Sequence, residues 1–386
     1  MPEEYPKQIK SKTQETFQVE QFGLYVIEIT ARCEKNNDLK VEIDNIQFRE
    51  IPPENNIQSY NIPASWNGTN LKGLSKTIYF ILTLNKGEHT LTFTPKDNSV
   101  IENWKYTLFT DTRVLNFENL PQVEDGDRRP LCSFILVDTP LRSITADVSV
   151  SWHKFDGDDV KIIINNEIQQ DTKSRFWKNW VWHGLPIQIF TGAKRGIKTF
   201  IKNLDSDTHY IEFWVDKTPT LHKITLNLGN YNPKRTPTVE DPKWTGDFYD
   251  DTDQILLARL IIGEMEGQSE EAKVAAGFTV LNRIKKQNSN WGYNLKEVIL
   301  KEDQYDAFWN KDTSEKVRDP LNHVSQEEWK RCYKIASDVL LGSLYDISFG
   351  ATNFFSTTTN DNFPFWATKK VYRTTIGITY FYELNN

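Results

Sequence analysis

A pattern that returns after about 120 residues constrains the fold of this chain more than any other feature. Asp38-Leu39-Lys40-Val41-Glu42-Ile43-Asp44-Asn45 reappears as Asp159-Val160-Lys161-Ile162-Ile163-Ile164-Asn165-Asn166. Leu84-Asn85-Lys86-Gly87-Glu88-His89-Thr90-Leu91-Thr92-Phe93 reappears as Leu204-Asp205-Ser206-Asp207-Thr208-His209-Tyr210-Ile211-Glu212-Phe213, and Ser65-Trp66-Asn67-Gly68 pairs with Val181-Trp182-His183-Gly184. Solenoid units repeat at roughly 20 to 50 residues, so a period this long is a duplicated domain. Within it, runs such as Tyr25 to Thr30 and Val148 to Trp152 alternate apolar and polar residues between Gly, Asn and Asp turns, the pattern of antiparallel strands with one face buried. The expected fold for this half is two all-β sandwich, jelly-roll-like domains, residues 1–120 and 131–229, with a connection around Glu124-Asp125-Gly126-Asp127-Arg128-Arg129-Pro130.

Aromatic residues make up 13% of the chain, and seven of the 12 tryptophans precede residue 215. Aromatic faces suit the C–H faces of pyranose rings, although the same rings also fill sandwich cores. Trp66 and Trp182 occupy matching, loop-like positions and are the candidates for stacking on sugar. His89 and His209 also match; inside apolar strands they read as hydrogen-bonded structural histidines rather than ligands. Gly87-Glu88-His89-Thr90-Leu91 gives a Gly-x-His-x-Leu strand, and with the all-β composition it resembles the galactose-binding-like carbohydrate-binding domains. That resemblance implies carbohydrate as a partner of the β domains, on fold analogy alone.

Asn230 to Pro242 holds three prolines with polar spacing and no apolar period, so residues 230–246 are expected to be a semi-extended linker to a third domain, 247–386. There the pattern changes. Ile255, Leu256, Leu257, Ala258, Leu260, Ile261 and Ile262 make a largely buried helix, with Gly267 just past its end. Glu264 leaves that core near the last turn. A carboxyl group against apolar walls, near the negative end of a helix dipole, resists ionising and so suits general-acid work. The same position also suits a solvated helix-end residue or half of an ion pair. Glu266, about 200° further round the helix, does not share the site.

The string from Leu257 to Gln268, with its Gly263-Glu264-x-x-Gly267 core, and the following Val274 to Arg283, ending Val280-Leu281-Asn282-Arg283, resemble the spore-cortex-lytic, SleB-type cell wall hydrolases. Leu295 to Ile299, then Gln304-Tyr305-Asp306-Ala307-Phe308, Gly350 to Phe355 and Ile376 to Tyr382 follow in that family's order, so the resemblance covers roughly residues 252–384. It implies a mainly α, lysozyme-like α+β catalytic domain that cuts peptidoglycan glycan strands between N-acetylmuramic acid and N-acetylglucosamine. It also implies Glu264 as the single acid and base of a lytic transglycosylase. Three positions depart from the family: Asp306 stands where serine is common, Gln268 replaces a second glutamate, and Asn353 stands where histidine is often found. Asp306 is either the second carboxylate of a true hydrolase or a loop residue capping the next turn. Gln304, Tyr305, Asn353, Phe355, Trp366 and Tyr380 are the candidates for lining a sugar groove, each aromatic being equally suited to the core. Ser269 and Ser325 read as helix N-caps, and Ile347–Thr357 and Val371–Leu384 as strands of a small hairpin.

A net charge of −7 argues against a nucleic-acid partner held by bulk attraction, while local fields leave an anionic wall polymer open. Three scattered cysteines, Cys33, Cys132 and Cys332, show no disulfide or zinc spacing, and six histidines form no HExxH run, so no metal or other cofactor is expected and an amidase reading lacks its machinery. No apolar run reaches the roughly 18 to 20 residues of a transmembrane span. Residues Met1 to Gln8 lack the apolar stretch of a secretory signal, so the export route to the cell wall stays open between a processed form, a phage-type lysin and release on lysis. The competing class is a noncatalytic wall-binding protein whose SleB-like domain lost activity through Gln268, Asp306 and Asn353.

Overall fold

The computed structural model describes residues 5–49, 63–122, 128–153, 155–171, 175–309, 311–357 and 363–384. Most of the expected connection at Glu124–Pro130 lies outside them. The chain divides into two compact units, Met1–Lys234 and Arg235–Asn386.

The first unit is β throughout, apart from two short helices. Its first repeat contains β1 (Lys7–Ile9), β2 (Thr13–Val19), β3 (Gly23–Cys33), β4 (Asp38–Ile43), β5 (Ser65–Asn67), α1 (Gly68–Leu71), β6 (Ser75–Leu84), β7 (Gly87–Pro95) and β8 (Ser99–Phe109). The second contains β9 (Val114–Glu118), β10 (Arg129–Val150), β11 (Asp159–Ile164), β12 (Glu167–Ile168), β13 (Trp182–His183), α2 (Gln188–Thr191), β14 (Lys194–Asp216) and β15 (Thr220–Asn227). Strand pairing repeats as the sequence does. β3 lies between β6 and β8, and the C-terminal half of β10 lies between β14 and β15. Likewise β4 joins β7 to β5, and β11 joins the end of β14 to β13.

The two repeats are not separate sheets. Cys132–Leu136 of β10 runs parallel to Thr77–Ile81 of β6, so the second repeat continues the first repeat's sheet. Both faces of that junction are buried. Ile78, Phe80 and Leu82 point into one core with Ile135 and Val137, while Tyr79 and Ile81 point into the other with Phe134 and Leu136. This explains the unbroken apolar runs there, because a strand covered on both sides has no polar face to alternate.

The matched tryptophans are core residues. Trp66 is 0% and Trp182 4% exposed, and each indole N–H donates to the next strand's backbone, Trp66 to Lys76 O at 2.7 Å and Trp182 to Gly196 O at 2.9 Å. The expectation that they stack on sugar fails because burial leaves no free ring face. His89 and His209 are hydrogen-bonded in equivalent ways: Nε2 meets Asn85 O at 2.8 Å and Asp205 O at 2.7 Å, and Nδ1 meets Asp44 at 2.5 Å and Asn165 at 3.1 Å.

The second unit packs helices α3 (Asp253–Met265), α4 (Glu270–Lys286), α5 (Leu295–Ile299), α6 (Asp306–Trp309), α7 (Lys311–Arg318) and α8 (Gln326–Leu340) with a sheet ordered β16 (Asn353–Ser356), β18 (Thr379–Tyr382), β17 (Tyr372–Ile376). Thr252, Ser269 and Ser325 cap α3, α4 and α8 through side chains that accept from Ile255 N, Ala272 N and Glu328 N. α4 also carries Glu270 and Glu271 in its first turn and Arg283, Lys285 and Lys286 in its last, matching the helix dipole. From Arg235 the expected linker belongs to this unit. Its carbonyls serve buried donors: Val239 O accepts from Trp329 Nε1 at 2.8 Å and Pro242 O from Arg259 Nη2 at 2.6 Å. Arg259, fully buried, grips Asp251 with Nε at 2.7 Å and Nη2 at 3.1 Å and also donates to Val317 O, tying this strap and the end of α7 to α3. No helix among the described residues is long and apolar enough to cross a membrane.

Candidate active site

Helix α3 is buried along almost its whole length, and Glu264 is the half-buried carboxylate in its last turn. Gly267, at φ +72°, turns the chain away just beyond. The residue before Glu264 decides what it faces. A Cβ on Gly263 would lie 2.5 Å from Ala307 Cβ and 2.7 Å from Val317 Cγ1, so only glycine lets α6 and α7 come this close to α3. That approach brings Ala307 N–H to Glu264 Oε1 at 2.9 Å. Burial pushes the Glu264 carboxyl above the usual carboxylate range; the Ala307 amide pulls it down, Asp306 adds to the rise and Arg283 opposes it. Water exclusion thus outweighs one hydrogen bond and one cation, so the group ionises less readily than a solvent-exposed glutamate.

Asp306, the first residue of α6, is exposed and close enough for its charge to act on Glu264. Gln304 and Asn353 meet through a residue to which the sequence reading gave no role. Arg283, buried at the end of α4, donates from Nε to Thr352 O at 2.6 Å and from Nη1 to Gln304 Oε1 at 3.2 Å, and its guanidinium lies 4.6 Å from the centre of the Tyr305 ring. With its amide turned to satisfy both ends, Asn353 accepts from Arg283 Nη2 at 3.3 Å and donates to Thr352 Oγ1 at 3.0 Å. Asn282 donates to Asp346 at 2.9 Å and to Ala351 O at 3.0 Å, fixing the turn that leads into β16. The signal for this framework was a polar Asn-Arg pair ending an apolar helix.

Tyr305 does not face a groove. Its ring is 2% exposed, packed under Arg283 and 6.4 Å from Phe354, and its hydroxyl lies beside the Thr279 side chain without a well-formed hydrogen bond. It supports the site from beneath, which corrects its expected role as a substrate-lining residue. Phe355, Trp366 and Tyr380 do come together. Phe355 and Tyr380 are opposite each other on β16 and β18 and stack at 5.5 Å, and Trp366 meets Phe355 edge-on at 5.8 Å. All three are half-buried. β16 therefore carries both a polar member of the Arg283 cluster, Asn353, and an aromatic member of this one, Phe355.

Cys332 is buried inside α8 with its thiol pushed by burial up to about 12, far from a nucleophile's range. No group of three or more His, Cys, Asp or Glu able to hold a metal occurs among the described residues.

Glu264, half-buried with a carboxyl pKa raised by burial, is the candidate acid of a mainly α-helical unit with a small sheet. Residues 267–382, beginning just past the helix that carries Glu264, match the family model described as Cell Wall Hydrolase, so the second unit carries a cell wall hydrolase domain. Among solved structures, the catalytic domain of the germination-specific lytic transglycosylase SleB from Bacillus anthracis is similar at 19% identity over 34% of this chain and 93% of its own, with a TM-score of 0.26. The SleB catalytic domain of Bacillus cereus is similar at 18% identity over 34% and 89%, with a TM-score of 0.27. The tandem CBM51 modules of the family 98 glycoside hydrolase from Streptococcus pneumoniae are similar at 10% identity over 55% and 81%, with a TM-score of 0.17. The comparison with curated proteins returns no match.

Proposed function

We propose that this chain degrades peptidoglycan as a lytic transglycosylase, cutting between N-acetylmuramic acid and N-acetylglucosamine with Glu264 as sole general acid and base. The observation that carries this is the Glu264 carboxyl, raised by burial and held by the Ala307 amide at 2.9 Å. In the first step its proton passes to the glycosidic oxygen as the C1–O bond breaks and the leaving sugar departs with a free hydroxyl. In the second, the muramic C6 hydroxyl attacks C1 and its proton returns to Glu264, closing a 1,6-anhydro ring. No water is consumed and the carboxyl ends as it began.

The exposure of Asp306, one residue from the amide that holds Glu264, favours a second reading, hydrolysis with Asp306 as the other carboxylate. A noncatalytic wall-binding role accounts less well for a half-buried carboxyl kept in a position that resists its ionisation. In this reading residues 247–386 form a lysozyme-like domain. The two repeats, the second beginning at β9, form tandem β-sandwich modules that hold glycan and raise the catalyst's local concentration on an insoluble polymer.

The test is mass spectrometry of the soluble products from purified peptidoglycan, wild type beside Glu264→Gln. Anhydro-muramic ends made only by wild type are expected. Reducing muramic ends would transfer the function to hydrolysis, and unchanged sugars would sink both enzymatic readings.

A further inference from the structure

With Trp66 and Trp182 buried, a glycan needs another surface on the first unit, and one exists where the repeats meet. A cleft of about 220 Å³ lies between the β8–β3–β6 face and β9, so residues of both repeats build it. Its apolar floor is Phe109, half-buried and backed by the buried ring of Phe117 at 5.8 Å, which in turn lies 5.2 Å from buried Tyr79. Its rim is polar. Glu28 and Lys105 pair across β3 and β8 at 3.1 Å, Thr107 is exposed beside them, and β9 adds Glu118 and is followed by Asn119. Glu118 is paired in turn with Lys223 at 3.0 Å.

These features define the occupant's chemistry. An apolar floor ringed by hydroxyl, amide and charged hydrogen-bonding groups matches a pyranose, which has one C–H face and equatorial hydroxyls. Because Glu28 is paired with Lys105 and Glu118 with Lys223, the cleft offers no net attraction to an ion, which suits an uncharged ring. The volume, below the roughly 300 Å³ at which drug-sized sites begin, admits one ring. We propose that this inter-repeat cleft binds one uncharged pyranose of a glycan strand, N-acetylglucosamine rather than N-acetylmuramic acid, whose added lactyl ether exceeds a one-ring cleft; the choice of sugar rests on the peptidoglycan reading above. The binding function of the first unit then belongs to the pair of repeats and to neither alone.

Hydrogen exchange of the full chain carrying Glu264→Gln, with and without saturating tri-N-acetylchitotriose, tests this. Protection is expected across residues 105–119, and Thr107→Trp, which fills the cleft from an exposed strand position, removes it. Lys105→Ala, at an exposed side chain, weakens the same protection about tenfold and decides the matter if the tryptophan variant does not fold. Absence of protection at 105–119, or protection unchanged in both variants, overturns the proposal. Protection confined to residues 304–309 and 353–356 would leave the catalytic reading standing and remove the cleft. Protection at 105–119 alongside wild-type protein that leaves peptidoglycan intact would keep the cleft and remove the catalytic reading.

Discussion

Replacing Gly263 with alanine tests the geometry of the site without touching its chemistry. The new methyl carbon would meet Ala307 Cβ at 2.5 Å and Val317 Cγ1 at 2.7 Å, whereas carbon atoms rest about 3.5–4.0 Å apart. α6 must therefore retreat from α3 by roughly 1 Å or more. The stability cost is small, because about 1–3 kcal/mol of overpacking is offset by about 1 kcal/mol of helix propensity; a net loss of about 0–2 kcal/mol leaves the protein folded.

Activity responds more strongly. The Ala307 amide lies 2.9 Å from Glu264, and the same retreat takes it out of hydrogen-bond range. A misplacement of about 1 Å in a reacting group costs about 100-fold in rate. The amide also lowers the Glu264 pKa, so its loss lets burial push the carboxyl further up. A general acid must be protonated, and the alkaline limb of the rate profile should therefore move to higher pH even as the maximum falls. Release of soluble muropeptides measured against pH, with a thermal scan for folding, reads both effects. Gly263→Ala/Ala307→Gly, which removes one of the two contacts, should recover about tenfold. A folded Gly263→Ala protein with wild-type rate and an unmoved alkaline limb would refute the argument.

Other residues give further expectations. Glu264→Gln should abolish glycan cleavage, a loss of about 10²–10⁴-fold or more, and should raise the melting temperature. A carboxyl whose folded pKa is raised contributes stability below its unfolded value and loses it as pH rises through the folded one, so the gain in the variant should be present at pH 8 and fade in acid. Asp251→Ala leaves the fully buried Arg259 uncompensated and should cost about 3–5 kcal/mol in urea unfolding of the second unit; a loss under about 1 kcal/mol would remove the pair from its structural role. Tyr305→Phe removes a buried hydroxyl whose contact with Thr279 is poorly formed and should change stability by less than about 1 kcal/mol; lost activity at unchanged stability would return Tyr305 to the substrate. For His89, burial opposes the charged form, but Asp44 and the Asn85 carbonyl outweigh it and raise its pKa. Its stabilisation is complete below about pH 6.5 and is lost as pH rises through the folded value. Asp44→Asn, which copies the Asn165–His209 contact, should therefore cost about 0.5–1 kcal/mol in mild acid and progressively less at higher pH, read by chemical unfolding across that range.

What could be read from sequence was set by locality. Ser269 and Ser325 cap helices because a cap needs only the next three residues, and Glu264 was marked by the apolar run that buries it. The partners of Glu264 were not local. Ala307 reaches it only because Gly263 lacks a side chain, and Arg283 gathers Gln304 from one segment and Thr352 and Asn353 from another. Tyr305 and the two matched tryptophans misled for one reason: aromatic residues look alike in sequence whether their faces meet solvent or core, and here all three are in the core.

The repeat itself separates packing from recognition. Positions that agree across it, such as Trp66 with Trp182 and His89 with His209, make the same backbone contacts in both copies, so duplication preserved what each copy needs to fold. Positions that differ mark where the copies meet. By their pairing with His89 and His209, Phe17 of β2 corresponds to Leu136 of β10, which sets the exposed Thr16 and Gln18 against the buried Ile135 and Val137. The apolar pair carries the second repeat onto β6, whereas the polar pair leaves β2 facing solvent. On the other side of the junction, Thr77 and Ile81 of β6 are buried, while their counterparts on β14, Ile197 and Ile201, are 67% and 74% exposed because no third repeat covers them among the described residues. The burial of each strand thus follows its place in the pair.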